Sequence, residues 1–370
     1  MGPRNFAVRT GSVVSALIVI TSILLGTGCE LTSVNTDSTV VAGVDVDALF
    51  AQPTEAERQE ILLDWSDRDV SARNVTIEKD IQFNLAGRTT RLRVVGHDVP
   101  EGSGFIRHYG AVITPPGLQL DSAPVIVFAH GSDRGVEIDG DFETLFSTFR
   151  AISDQFVYVV PSYRSETIGF GDEEWTSEGA PSPWDRDVDD ALALLSVAGE
   201  IEPSADMSNV AVLGLSRGMT VGMIMDIRDD RIGGVIGFFG PTDFFGPFAR
   251  EVTIDALEGM PRDLPGLDVL NERFLTPLGN GDLPIQVVRL ELLRRSPIHF
   301  VNRLGRIQIH HGRADDLVPV SESERFIRAA EDANLAGFEP YIYDDGDHNP
   351  FFLPMSLDRA QEYLQGMLDR

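Results

Sequence analysis

From Pro124 onward, short apolar runs alternate with stretches of helical periodicity, and this rhythm constrains the fold more than any other feature. Val125-Ile126-Val127-Phe128-Ala129 is the first such run, and others follow at 156–160, 210–213, 234–239, 306–310 and 340–343. An apolar run without polar alternation belongs to a strand covered on both faces. Between most of these runs, apolar residues recur at helical spacing. Val188, Ala191, Leu192 and Leu195 do so within 187–198, and Phe326, Ile327 and Ala330 within 321–333. An amphipathic helix is expected over 357–368. Strand and helix in alternation predict an α/β fold, with a mostly parallel central sheet and helices on both faces.

The flanks of this pattern divide the chain. Residues 30–52, rich in Ser, Thr, Val and Asp, read as a tether. Thr54-Glu55-Ala56-Glu57 is a capping box, and it opens a short helix reaching about residue 65. Three strand-like runs follow, at 75–85, 89–96 and 108–114, the last ended by Thr114-Pro115-Pro116-Gly117. One interval, 243–295, is too long for a simple crossover and is rich in Pro and Gly. It reads as an inserted cap with helical pieces at 252–258 and 285–295. Residues 53–370 then form one large domain, which 42% hydrophobic content can supply with a core. The formal charge of −28 comes with no basic patch, which argues against a nucleic-acid partner.

At the N-terminus, Arg4 and Arg9 precede an apolar run over 13–25. That is a basic region and an apolar region of secretory length, short of the roughly 20 residues a membrane span needs. The run leads into Leu25-Gly26-Thr27-Gly28-Cys29, and Cys29 is the only cysteine, so no intrachain disulfide forms. The segment resembles a bacterial lipoprotein signal, with Leu25 one place further from Cys29 than the usual pattern has it. That resemblance implies a signal segment over residues 1–29 that is cut just before Cys29, which becomes the lipidated first residue, with export to the cell envelope and attachment to a membrane surface through acyl chains. An ordinary signal peptide and an uncleaved anchor are the alternatives.

The stretch Gly214-Leu215-Ser216-Arg217-Gly218 stands directly after the apolar run 210–213 and before a helical pattern over 217–227. A serine hydroxyl is a weak nucleophile until a base lies within hydrogen-bond reach and donors face the oxyanion it generates. A sharp strand-to-helix turn, with glycines two before and two after, holds such a serine clear of the sheet.

Here the sequence resembles the α/β-hydrolase superfamily, in the branch of dienelactone-hydrolase-like and prolyl-oligopeptidase-like enzymes. The resemblance runs from about residue 75 to the end. It rests on VIVFAHGSD (125–133), VVPSYRS (159–165), GLSRG (214–218), IHHGRADDLVPVSESERF (309–326) and DDGDHNPF (344–351). It implies an α/β-hydrolase fold and a serine hydrolase mechanism. Ser216 would be the nucleophile, Asp315 the acid, with Asp316 its neighbouring rival, and His348 the general base. The backbone N–H of Arg217 and one from Ser132 or Gly131 would form the oxyanion hole, with His130 supporting that loop. The pattern departs at Met219, where related peptidases often carry glycine, and in lacking their N-terminal propeller. Ser216 also stands where dienelactone hydrolases proper use cysteine.

The expected activity is carboxylesterase-like, on a small-molecule ester. A peptidase acting on short peptides and a catalytically inactive surface binding protein are the alternatives, and all three triad positions are filled against the last. Substrate choice would lie in the cap and in the loop 168–184, which holds Trp175 and Trp184. No cofactor or metal is expected. His310 and His311 are adjacent on a strand and point to opposite faces, so they do not share an ion. His97, His108 and His299 lack a motif and read as structural, Asp344, Asp345 and Asp347 read as solvated loop residues, and no Gly-rich phosphate loop is present.

Overall fold

The computed structural model describes residues 39–368, so the expected signal segment and Cys29 lie outside the described residues. A nine-stranded sheet organises the chain: β1 (Arg73–Leu85), β2 (Arg88–Glu101), β3 (Gly104–Thr114), β4 (Ala123–Ala129), β5 (Val157–Pro161), β6 (Ala205–Leu215), β7 (Ile232–Phe238), β8 (Arg306–Gly312) and β9 (Phe338–Tyr343). Their order across the sheet is β9-β8-β7-β6-β4-β5-β3-β2-β1. The six strands from β9 to β5 run parallel, and β3, β2 and β1 close the other side antiparallel.

The parallel strands are buried on both faces because successive side chains feed two cores. Val125, Val127, Val210, Val212 and Val235 enter one core. Their neighbours Ile126, Phe128, Ala211, Leu213 and Ile236 enter the other. The first core is covered by α1 (Glu55–Asp67), α2 (Arg186–Ile201), α3 (Arg217–Arg228) and α6 (Ser321–Asp332). The second is covered by Phe142, Phe146 and Phe149 and by α7 (Ser356–Leu368), through Ala360, Tyr363 and Leu364. Each buried Val, Leu, Ile or Phe among them contributes about 1.5–3 kcal/mol of transfer free energy. The predicted capping box forms, with Thr54 Oγ1 accepting from Glu57 N–H and Glu57 accepting from Thr54 N–H.

Two expectations change. The tether read over 30–52 does not extend through residues 39–52. There, Val40–Val41 pairs with Val44–Asp45, and a helical turn spans Val46–Leu49. Val44, Val46, Leu49 and Phe50 are buried in the first core. Arg289 ties the segment down, donating to the carbonyl oxygens of Ala48, Leu49 and Ala51 and pairing with Glu57 at 2.7 Å. Polar composition hid four apolar residues that the core recruits.

The segment between β7 and β8 is also more helical than its Pro and Gly content indicated. It holds α4 (Pro247–Leu257) and α5 (Ile285–Leu293). Between them, helical turns cover Leu267–Leu270, Asn271–Leu275 and Thr276–Asn280. α4 begins five residues before the expected 252, because Pro247 sits at its first position, where a missing N–H costs nothing. The short turns persist because Leu270, Leu275 and Leu278 are buried beneath them.

Candidate active site

Ser216 follows β6 directly and precedes the first residue of α3. Its backbone adopts φ 52° and ψ −119°, a conformation that a side-chain-bearing residue reaches only under constraint. The constraint is visible on each side. Ser216 N–H donates to Phe238 O at 2.8 Å, and Ser216 O accepts from Met219 N–H at 2.9 Å. The two flanking glycines are required by close approach. A Cβ on Gly214 would lie 2.2 Å from Gly218 O, and one on Gly218 would lie 1.8 Å from Ala129 O. Met219, the departure from the peptidase pattern, is fully buried, and its sulfur accepts from Gly240 N–H at 3.1 Å.

The loop after β4 packs on this turn. A methyl group at Gly131 would stand 3.1 Å from Ser216 Cβ, and Ser132 takes a positive φ of 64°. The N-terminus of α3 and this loop therefore flank the serine from two sides, the arrangement in which backbone N–H groups stabilise an oxyanion. His130 holds the loop. Its Nδ1–H donates to Gly131 O at 2.9 Å, and its ring stacks on Tyr163 at 4.3 Å. Burial pushes the imidazole down to about 3, so it stays neutral and acts as scaffold.

Asp315 lies in the turn after β8, and His348 in the turn after β9. His348 Nδ1 and Asp315 Oδ2 are 2.7 Å apart. A carboxylate only accepts, so Nδ1 carries the proton and Nε2 keeps its lone pair. The other carboxylate oxygen, Oδ1, accepts from Leu317 N–H at 3.0 Å and Val318 N–H at 2.9 Å. Burial works to raise the Asp315 carboxyl, but His311 and His348 hold it well below the usual carboxylate range. Asp316 is exposed; Asp315 makes the bond to His348. The His348 ring rests on Phe239 at 4.2 Å, next to the residue whose carbonyl receives Ser216 N–H. All three side chains thus stand beyond the carboxyl ends of parallel strands, where ligands bind in open α/β sheets.

Several residues of the site were not read from the sequence. His311, set aside with His310, braces Asp315: its Nε2 lies 2.8 Å from Val318 O and 3.2 Å from Asp315 Oδ2. Both partners accept, so Nε2 is protonated and Nδ1 accepts from Ser323 Oγ at 2.7 Å. His310 instead bonds Tyr343 and Gln308 on the opposite face. The Arg217 side chain was assigned no part. It is buried, makes a two-pronged pair with Asp187 at 2.7 Å, reaches Glu166 at 2.5 Å and donates to Ser132 O at 3.0 Å. It also lies over Tyr163 at 4.7 Å. Burial works against its charge, and Asp187 and Glu166 more than offset that. Burial pushes the Glu166 carboxyl up to about 7 even beside Arg217. This network locks the loop that carries Ser132 to the residue after the serine. An arginine directly following a nucleophile-like serine was the available signal.

Above the serine lies a cleft open to solvent, walled by Ser216, Arg217 and Ser132 below and by cap residues above. Of the two tryptophans in the loop 168–184, Trp184 lines this cavity. Trp175 packs against the second core instead, in a small three-stranded sheet of Val136–Glu137, Thr167–Phe170 and Glu173–Thr176.

No protein-family model matches the chain, and no curated sequence is detectably similar to it. Solved structures do match. Acetyl xylan esterase 1 from a Thermoanaerobacterium species superposes with a TM-score of 0.59 at 15% identity, over 88% of this chain and 98% of that one. An acetyl xylan esterase from a Paenibacillus species gives 0.57 at 15% identity, over 85% and 95%. An S-formylglutathione hydrolase from Agrobacterium tumefaciens gives 0.51 at 16%, over 80% and 99%. The chain has the α/β-hydrolase fold.

Proposed function

We propose that the chain is a serine hydrolase that cleaves carboxylic esters by acyl transfer through Ser216, His348 and Asp315. The observation that carries this reading is the Asp315–His348 Nδ1 bond, at the same sheet end as a serine held at positive φ. That bond leaves His348 Nε2 in the tautomer a general base needs.

In this mechanism, His348 Nε2 takes the Ser216 hydroxyl proton as Oγ bonds to the ester carbonyl carbon. The carbonyl π pair moves onto oxygen, and the Arg217 N–H with that of Gly131 or Ser132 receives the charge. One such donor contributes about 3–4 kcal/mol to the transition state. As the tetrahedral centre collapses, the C–O bond to the alcohol breaks, and imidazolium gives its proton to the leaving oxygen. Asp315 stabilises the imidazolium throughout without taking its proton. Water then attacks the acyl-Ser216, with His348 as base, and releases the acid.

Esters are favoured over amides because an alcohol oxygen leaves more readily than an amine, whose C–N bond is strengthened by resonance and whose nitrogen must be protonated before it departs. The test compares a p-nitrophenyl ester with the matching p-nitroanilide. The expected result is ester turnover at least about a hundredfold above the anilide in kcat/KM, a difference of roughly 2.7 kcal/mol. Comparable rates on the two would support a peptidase instead.

A further inference from the structure

The shape and lining of the cavity go beyond the reaction class. We propose that it is an acyl pocket for a long unbranched hydrocarbon chain, so that the substrate is a medium- to long-chain fatty acyl ester; this rests on the serine hydrolase reading above.

The cap side of the cavity is walled largely by hydrocarbon, including Phe248, Val252, Leu267, Leu270, Phe274 and Val288. Its carboxylates are mostly committed to the protein. Asp243 accepts from Phe245 N–H and pairs with Arg325, and Glu291 pairs with Arg294 and Arg295. The one cation among the lining residues, Arg217, is spent on Asp187, Glu166 and Ser132 O. Nothing cationic remains to hold an anionic acyl group. The buried lining atoms left without a partner are Trp184 Nε1, Asn271 Oδ1 and Glu322 Oε1. One donor and two acceptors among so many apolar neighbours leave little to solvate a polar acyl substituent.

The cavity takes the acyl side of the ester, not the alcohol. Its floor holds the serine and both sides of the oxyanion hole, through Arg217 and Ser132. His348 must reach the departing alcohol oxygen, and it lies off this wall, against Phe239. With the carbonyl oxygen in the oxyanion hole and the alcohol facing His348, the remaining substituent on the carbonyl carbon points into the cap.

The test has two arms. The first measures kcat/KM for p-nitrophenyl acetate, butyrate, octanoate and dodecanoate below their critical micelle concentrations. Burying a methylene favours binding by about 0.8 kcal/mol, roughly fourfold. Octanoate should therefore exceed acetate by at least about tenfold after imperfect burial, and Ala249→Phe, which fills the wall at α4, should lower the octanoate-to-acetate ratio. A ratio of one or less in the native protein overturns the proposal. The second arm needs no catalysis: the Tm of Ser216→Ala is followed with methyl acetate and with methyl octanoate. A rise with octanoate alone supports the pocket even should every ester prove inert, which would overturn the hydrolase reading only. Equal Tm with both esters overturns the pocket even in an active enzyme.

Discussion

The wall that carries Ser216 is made from strand ends, and the wall facing it is made from the short helices of the cap. On the first, each group is fixed by directed bonds. Ser216 is held through Phe238 O, Asp315 through two backbone N–H groups and His348, and the loop of Ser132 through Arg217. On the second, contact is almost wholly hydrocarbon, from α4, α5 and the turns between them. Directed bonds fix reacting atoms to a fraction of an ångström, which acyl transfer needs. Hydrocarbon packing fixes only volume and shape, which is what chain-length selection needs. The two walls should therefore respond differently to substitution.

Asp315→Asn should have the largest effect. It keeps the shape but removes the acceptor that fixes His348 Nδ1–H, so kcat/KM should fall by about 10⁴-fold. The fall should be the same for acetate and octanoate esters, since the cap is untouched. A loss that depended on chain length would break the separation of the two walls.

Arg217→Met should come next, and in stability more than in chemistry. It strands Asp187 and Glu166 as buried carboxylates, at a cost of about 3–5 kcal/mol at pH 8. The sign with pH follows from the raised folded-state values of both acids. A carboxyl whose pKa is raised by folding binds protons more tightly in the folded state, so stability falls as pH rises from the ordinary 4.5 of glutamate through about 7. Without Arg217 that fall steepens, and the variant should recover much of its loss at pH 5. Denaturant unfolding at pH 5 and pH 8 reads the difference; an equal loss at both would contradict the network.

Val288→Ala, on the cap wall, should be the mildest. Val288 is fully buried and lines the cavity. The truncation should cost about 1–2 kcal/mol of stability. It should change octanoate kinetics while leaving the rate of deacylation from a short acyl group within about threefold.

The same contrast explains what could be read from the sequence. The wall that carries Ser216 was legible because its geometry is local. Gly214-Leu215-Ser216-Arg217-Gly218 reports a turn between a strand and a helix, and most of the six parallel strands report themselves as apolar runs. Most strand starts were read late; β6, for example, begins at Ala205, before its apolar part at 210. The mixed stretch Ala205-Asp206-Met207-Ser208-Asn209 carries no such signal. The cap was harder, because its helices follow no strong period and are shaped by what they cover. The Arg217 network was hidden for a related reason. Its partners Glu166 and Asp187 are distant in sequence, and charged residues in an acidic chain read as solvated until folding buries them. The packing of 39–52 was lost to composition in the same way, since Arg289, which anchors it, lies in the cap.

The most direct measurement is fluorophosphonate labelling of the full chain, with the adduct mapped by peptide mass spectrometry, beside Ser216→Ala and His348→Ala. The account predicts an adduct on Ser216 of the native protein, and none on either folded variant. Absence of an adduct from well-folded native protein, or its presence on another residue, would contradict the claim that the serine at the end of β6 is an activated nucleophile.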